Sequence, residues 1–146
     1  MKAKILVVDD EESIREFLEI MLRKEGYEIT LAEDGLKAKE LIQKKTFDMI
    51  ISDLQMPNMT GIELLKYVRQ DYPEMLFMMI TAFGTTETAV EAMKMGAYDY
   101  LTKPFKIDEV RKVQQEASKF IPKVWPESQK PYQPIVRKMD KGAFFS

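Results

Sequence analysis

The chain has 146 residues, 45% of them hydrophobic and 32% charged, which suits one solvated domain with a real core and some additional length. It has no cysteine, which excludes disulfide frameworks and Cys-based zinc sites. It has no histidine either, which excludes His nucleophiles, His general bases, Ser-His-Asp triads and His-based metal sites, so any chemistry must run on carboxylates, lysines, hydroxyls and backbone groups.

Met1-Lys2-Ala3-Lys4 leads into an apolar run that ends in acids, which does not read as a signal peptide. No stretch is apolar enough to span a bilayer, so the expectation is a soluble cytoplasmic protein with no membrane contact. Ile5-Leu6-Val7-Val8 is a short continuous run of the kind found in strands buried on both faces. After Asp9-Asp10-Glu11-Glu12-Ser13, the residues Ile14, Phe17, Leu18, Met21 and Leu22 form one stripe of an amphipathic helix, which Gly26 stops. The unit then recurs: strand 27–32 and helix 36–45, strand 47–52 and helix 61–71, strand 75–81 and helix 85–95, strand 97–101 and helix 107–120. Five strand–helix units predict an α/β fold, a mostly parallel sheet with helices on both faces.

In an open sheet of this kind, sites form outside the carboxyl ends of the strands. The residues there are Asp9 and Asp10 after the first strand, Asp53 after the third, Thr81 at the end of the fourth and Lys103 just past the fifth. Three carboxylates, a hydroxyl and an ammonium therefore converge on one rim. Packed carboxylates repel and raise one another's pKa unless a cation is present, and a hard divalent ion such as Mg²⁺ answers that need. Mg²⁺ keeps one or two carboxylates, waters and a phosphate oxygen, Lys103 offers a charge for phosphate, and an aspartate can be a phosphoryl-accepting nucleophile.

Taken singly, each residue has a plainer reading. Asp9-Asp10 suits a helix N-cap, Asp53 a cap or turn, Thr81 a strand end, Lys103-Pro104 a loop turn and Tyr100 a half-buried strand aromatic. The 11 methionines read as core filler. The joint placement, each residue at the same end of a different strand, is what favours a site.

These residues resemble the receiver domain of bacterial two-component response regulators. The resemblance runs from Lys4 to about Phe120 and rests on Ile5-Leu6-Val7-Val8-Asp9-Asp10-Glu11, Asp53-Leu54-Gln55-Met56-Pro57-Asn58-Met59-Thr60-Gly61, Ile80-Thr81-Ala82 and Tyr100-Leu101-Thr102-Lys103-Pro104-Phe105. The stretches 81–84 and 97–100 look most like the nitrogen-regulation type, whose receiver usually precedes an ATPase that activates an alternative sigma factor; here the output domain is not apparent. The resemblance implies a flavodoxin-like, doubly wound (βα)5 fold with strand order 2-1-3-4-5. It implies that Asp53 accepts a phosphoryl group from a sensor histidine kinase. Asp10, Asp53 and the Gln55 backbone carbonyl would bind Mg²⁺, with Asp9 holding it largely through water. Lys103 would contact Asp53 and then the phosphoryl group, Thr81 would shift toward a phosphoryl oxygen, and Tyr100 would turn inward behind it. The Lys103-Pro104 bond would be cis. The surface of the fourth helix, fifth strand and fifth helix would carry output or homodimerisation. Gln55 and Phe83 sit where the family tunes the lifetime of the phosphorylated state.

The charge divides along the chain: residues 1–117 hold 16 Lys/Arg and 22 Asp/Glu, and residues 118–146 hold 6 and 2. Pro122, Pro126, Pro131 and Pro134 fall in that basic end, so residues 1–120 are read as the receiver and 121–146 as a Pro-rich basic tail, flexible or loosely docked. Phe120 and the tail's Trp125, Tyr132, Phe144 and Phe145 would otherwise dock on the receiver or a partner, and a shifted reading frame is a third account. It shows no basic recognition helix, so direct nucleic-acid binding is not expected. Two other functions compete with the switch. An aspartyl-phosphate phosphatase usually has a second aspartate two residues after its nucleophile, where this chain has Gln55. A purely binding receiver would not need Asp9, Asp10, Asp53, Thr81 and Lys103 together.

Overall fold

A computed structural model describes residues 2–81, 86–103, 108 and 111. The elements follow in the order β1 (Lys4–Val8), α1 (Glu12–Lys24), β2 (Glu28–Ala32), α2 (Gly35–Lys44), β3 (Met49–Asp53), α3 (Gly61–Asp71), β4 (Leu76–Thr81), α4 (Thr86–Lys94) and β5 (Asp99–Thr102). All neighbouring strands are parallel, in the order β2-β1-β3-β4-β5, as the resemblance implied. Of the expected fifth helix, only 108 and 111 are described, both in helical backbone. Phe83, the Lys103-Pro104 peptide and the segment 121–146 lie outside the described residues.

Successive side chains of a strand face opposite ways, so each buried strand feeds two cores. On one face, Leu6, Val8, Ile50, Phe77 and Met79 pack with Ala38 and Ile42 of α2, Leu64, Leu65 and Val68 of α3, and Ala92 of α4. On the other, Ile5, Val7, Ile51, Met78 and Ile80 pack with Leu18, Met21 and Leu22 of α1. The apolar runs needed no alternation in sequence because both faces are covered.

The strands β2 to β5 each begin one or two residues later than the apolar pattern predicts, and in β2 and β5 the cause is the same. Gly26 and Gly96 take positive φ (98° and 103°) after α1 and α4. The next N–H groups, of Tyr27 and Ala97, return to the carbonyls of Leu22 and Ala92 at 3.2 and 3.0 Å. These bonds close the helices in Schellman fashion. Tyr27 and Ala97 are therefore used as helix stops, and pairing starts at Glu28 and Asp99.

Chain order reverses at β1: β2 lies on one side of it and β3 on the other. The crevice at the carboxyl ends of β1 and β3 is where such folds place ligands. The register pairs Val8 with Ser52, so the next residues along each strand, Asp9 and Asp53, come up together at that crevice.

Candidate functional site

Asp9 is wholly buried and held on three sides. Its N–H donates to the Ala32 carbonyl (3.2 Å), its Oδ1 accepts from the Glu11 N–H (2.8 Å), and its own carbonyl accepts from Arg15 Nη1 (2.7 Å). Asp53 is also buried, and its Oδ1 accepts from the Gln55 N–H at 3.4 Å. Asp10 is exposed at the mouth. The close turn after Asp53 requires Gly61: a Cβ there would collide with the Asp53 carbonyl oxygen and lie 2.9 Å from the Leu54 Cα. Thr60 fixes the start of α3 with a capping box, its hydroxyl accepting from the Glu63 N–H (3.2 Å) while the Glu63 carboxylate accepts from the Thr60 N–H (3.2 Å).

Lys103 reaches into this pocket from the end of β5. Its Nζ lies 3.0 Å from Asp9 Oδ2, 3.1 Å from Glu11 Oε1 and 3.5 Å from Asp53 Oδ2. Burial alone would lower its pKa, but the adjoining carboxylates of Asp9, Glu11 and Asp53 outweigh this and push it up to about 12. One lysine does not neutralise the acids around it. Burial pushes the Asp53 carboxyl up from its ordinary 3.8 to about 6, the Asp9 charge adds to the rise, and Lys103 only partly offsets it. Asp9 moves the same way, chiefly by burial.

The three aspartates predicted to surround a cation do come together: one carboxylate oxygen from each of Asp9, Asp10 and Asp53 lies within 4.8 Å of the others. Asp9 Oδ2 has Lys103 at ion-pair distance, yet it is buried without a hydrogen bond of proper geometry. An all-oxygen set with surplus negative charge and an under-satisfied buried oxygen fits a hard divalent ion.

The remaining predicted residues stand as follows. Gln55 opens the loop after β3 and is exposed. The Thr81 backbone ends β4, paired with Thr102, so it reaches the same rim; its side chain lies outside what is described. Tyr100, on β5, is 41% exposed and does not join the acidic pocket. Glu11 went unnoticed in the sequence as a site residue. Its place directly after the paired aspartates was the available signal, but helix-start acids are common for reasons of helix dipole alone.

Residues 5–125 match the family model described as "Response regulator receiver domain". The chain is 42% identical over 113 residues to the Klebsiella oxytoca transcriptional regulatory protein ZraR, covering 77% of this chain and 26% of that protein. It is 43% identical over 105 residues to the Escherichia coli DNA-binding transcriptional regulator NtrC, covering 72% and 22%. It thus spans about a quarter of the length of these curated relatives, which agree with the nitrogen-regulation resemblance. Among solved structures, the Vibrio cholerae chemotaxis protein CheY4 superposes with a TM-score of 0.75 at 40% identity, covering 80% of this chain and 98% of that one. NtrX from Brucella abortus superposes with a TM-score of 0.76 at 31% identity, covering 99% of this chain and 29% of that one. With the family model matched over most of the chain, the chain belongs to the receiver domains of two-component response regulators.

Proposed function

We propose that this domain is a phosphorylation switch in which Asp53 is the acceptor. An Asp53 carboxylate oxygen attacks the phosphorus of a phosphohistidine on a sensor kinase; the O–P bond forms, the P–N bond breaks, and the imidazole leaves with a proton. Phosphoryl transfer demands alignment and charge neutralisation more than covalent help from the protein. Asp10, Asp53 and the Gln55 carbonyl would hold Mg²⁺, with Asp9 largely through water. When bound, the ion neutralises phosphoryl oxygens and the acidic pocket. Lys103 moves from its carboxylate partners to a phosphoryl oxygen, and the Thr81 hydroxyl takes another.

The observation that carries this reading is a buried Asp53, pushed up to about 6, with an ammonium 3.5 Å away and two further carboxylates at the same mouth. Phosphorylation then biases an existing two-state element. Tyr100, exposed here, turns inward and alters the surface of α4, β5 and the helix after it, which controls partner binding or homodimerisation in a transcription-related pathway. The domain acts in the cytoplasm through protein partners, without direct nucleic-acid contact. It catalyses only its own phosphorylation and dephosphorylation. Among the described residues, no helix is long and apolar enough to cross a membrane.

The test is mass spectrometry after incubation with Mg²⁺ and acetyl phosphate or phosphoramidate. One added phosphoryl group is expected, absent in Asp53→Asn and lost with chelator. No adduct on the unaltered protein would favour a binding module, and rapid turnover of unrelated phosphate esters would favour a phosphatase.

A further inference from the structure

The loop that follows Asp53 is tied to a helix that contributes no ligand of its own. The Met59 N–H donates to the Pro57 carbonyl at 2.8 Å, two residues back, and Asn58 between them has φ 71°. A three-residue turn of this hand is rare and strained in any residue with a side chain, so something must hold it. Asp34, the N-cap of α2, supplies the hold. Its Oδ1 accepts from the Lys37 N–H (2.8 Å), and its Oδ2 accepts from Asn58 Nδ2 (3.0 Å). The next residue, Gly35, is buried so closely under the loop that a Cβ on it would lie 2.5 Å from the Met59 carbonyl oxygen. Met56 is buried in the core on this face of the sheet, and Met59 packs against the same core.

We infer that Asp34 and Asn58 form a clasp that positions Gln55 and the Asp53 carboxylate for the cation. The inference rests on the proposed function only for the identity of the ligand. Between the strand end at Asp53 and the strained turn at Asn58 lie only Leu54, Gln55, Met56 and Pro57. With both ends fixed and Met56 buried, the Gln55 peptide has little freedom, and its N–H is held on Asp53 Oδ1. Releasing Asn58 removes the restraint on the turn, and the peptides upstream of it are then free to rotate. Asp34 and Asn58 are thus positioning residues, and the capped end of α2 is mechanically joined to the acidic pocket.

Two variants test the clasp while sparing the fold. Asp34→Ser keeps a cap acceptor for Lys37 but has no second oxygen for Asn58. Asn58→Gly removes the amide and suits positive φ. In metal-free protein, the Gln55 amide should exchange about 5-fold faster in each variant, the scale of one lost hydrogen bond, with the strand amides unchanged. By calorimetric titration, the Mg²⁺ dissociation constant should rise about 10-fold in each, as expected for loss of an outer-sphere partner. The double variant should be no worse than either single one, since both break one link. Unchanged Gln55 exchange, an unchanged dissociation constant or additive effects would overturn the clasp. If the unaltered protein binds no Mg²⁺, the proposed function fails, and the Gln55 exchange result alone decides the clasp.

Discussion

Lys103 lies nearer to Glu11 than to Asp53, 3.1 Å against 3.5 Å, although Glu11 is largely exposed and Asp53 is buried. The lysine proposed to meet an incoming phosphoryl group is therefore held partly by an acid at the pocket's rim. With its carboxylate open to solvent, such a pair is worth as much as a surface pair, about 0.2–1 kcal/mol. At saturating Mg²⁺, Glu11→Gln should raise the initial rate of phosphoryl uptake from acetyl phosphate by up to about 5-fold, and added salt should shrink the difference. A rate equal to that of the unaltered protein would show that Glu11 does not restrain Lys103.

The pocket also sets a pH dependence. Asp53 titrates at about 6 in the fold and near its ordinary 3.8 when unfolded, so the folded state binds more protons between those values. Its contribution therefore makes metal-free protein less stable as pH rises from about 4 to about 6, and the penalty is complete above that window. Asp9 shifts in the same direction. Urea midpoints of metal-free protein minus those of Asp53→Asn should fall between pH 4 and pH 7. Mg²⁺ at pH 7 should raise the midpoint of the unaltered protein, and chelator should reverse it. A difference curve flat with pH would remove the charge penalty assigned to Asp53.

Gly61 is required by close approach. A Cβ would strike the Asp53 carbonyl oxygen and sit 2.9 Å from the Met79 sulfur. Gly61→Ala should cost about 1–3 kcal/mol, as overpacking usually does, and should slow phosphoryl uptake because β3 must shift where it carries Asp53. Denaturant unfolding and the mass assay measure the two effects. Full stability would mean that the loop gives way without strain.

Asp48 provides the converse case, a buried acid at the other end of the sheet. Its Oδ2 accepts from the Lys4 N–H at 2.8 Å, and its own N–H donates to the Lys4 carbonyl at 2.8 Å. Asp48→Ala leaves the Lys4 N–H without that acceptor and should cost about 1–3 kcal/mol. Phosphoryl uptake by the fraction that remains folded should be unaltered. A loss of uptake exceeding the loss of folded protein would join the two ends of the sheet.

The architecture was legible in the chain because burial on both faces demands continuous apolar strands, and because helices at 3.6-residue period leave a visible stripe. Ile5 to Val8 and the stripe from Ile14 to Leu22 announced β1 to within one residue and α1 to within two at each end. Asp9, Asp10, Asp53 and Lys103 were legible as a set because parallel strands all end at one rim. Interactions that join residues far apart in sequence were not. Nothing in the local pattern says that Glu11 shares Lys103, since 92 positions separate them, or that Asp34 reaches Asn58 across 24. Nor does periodicity reveal that Tyr27 and Ala97 close helices, because that depends on a positive φ at the glycine before each. Sequence determined which residues face the core and which end of the sheet carries the acids. Only the tertiary structure decided which acid holds the lysine and which helix holds the loop, because those depend on distances set by packing between elements.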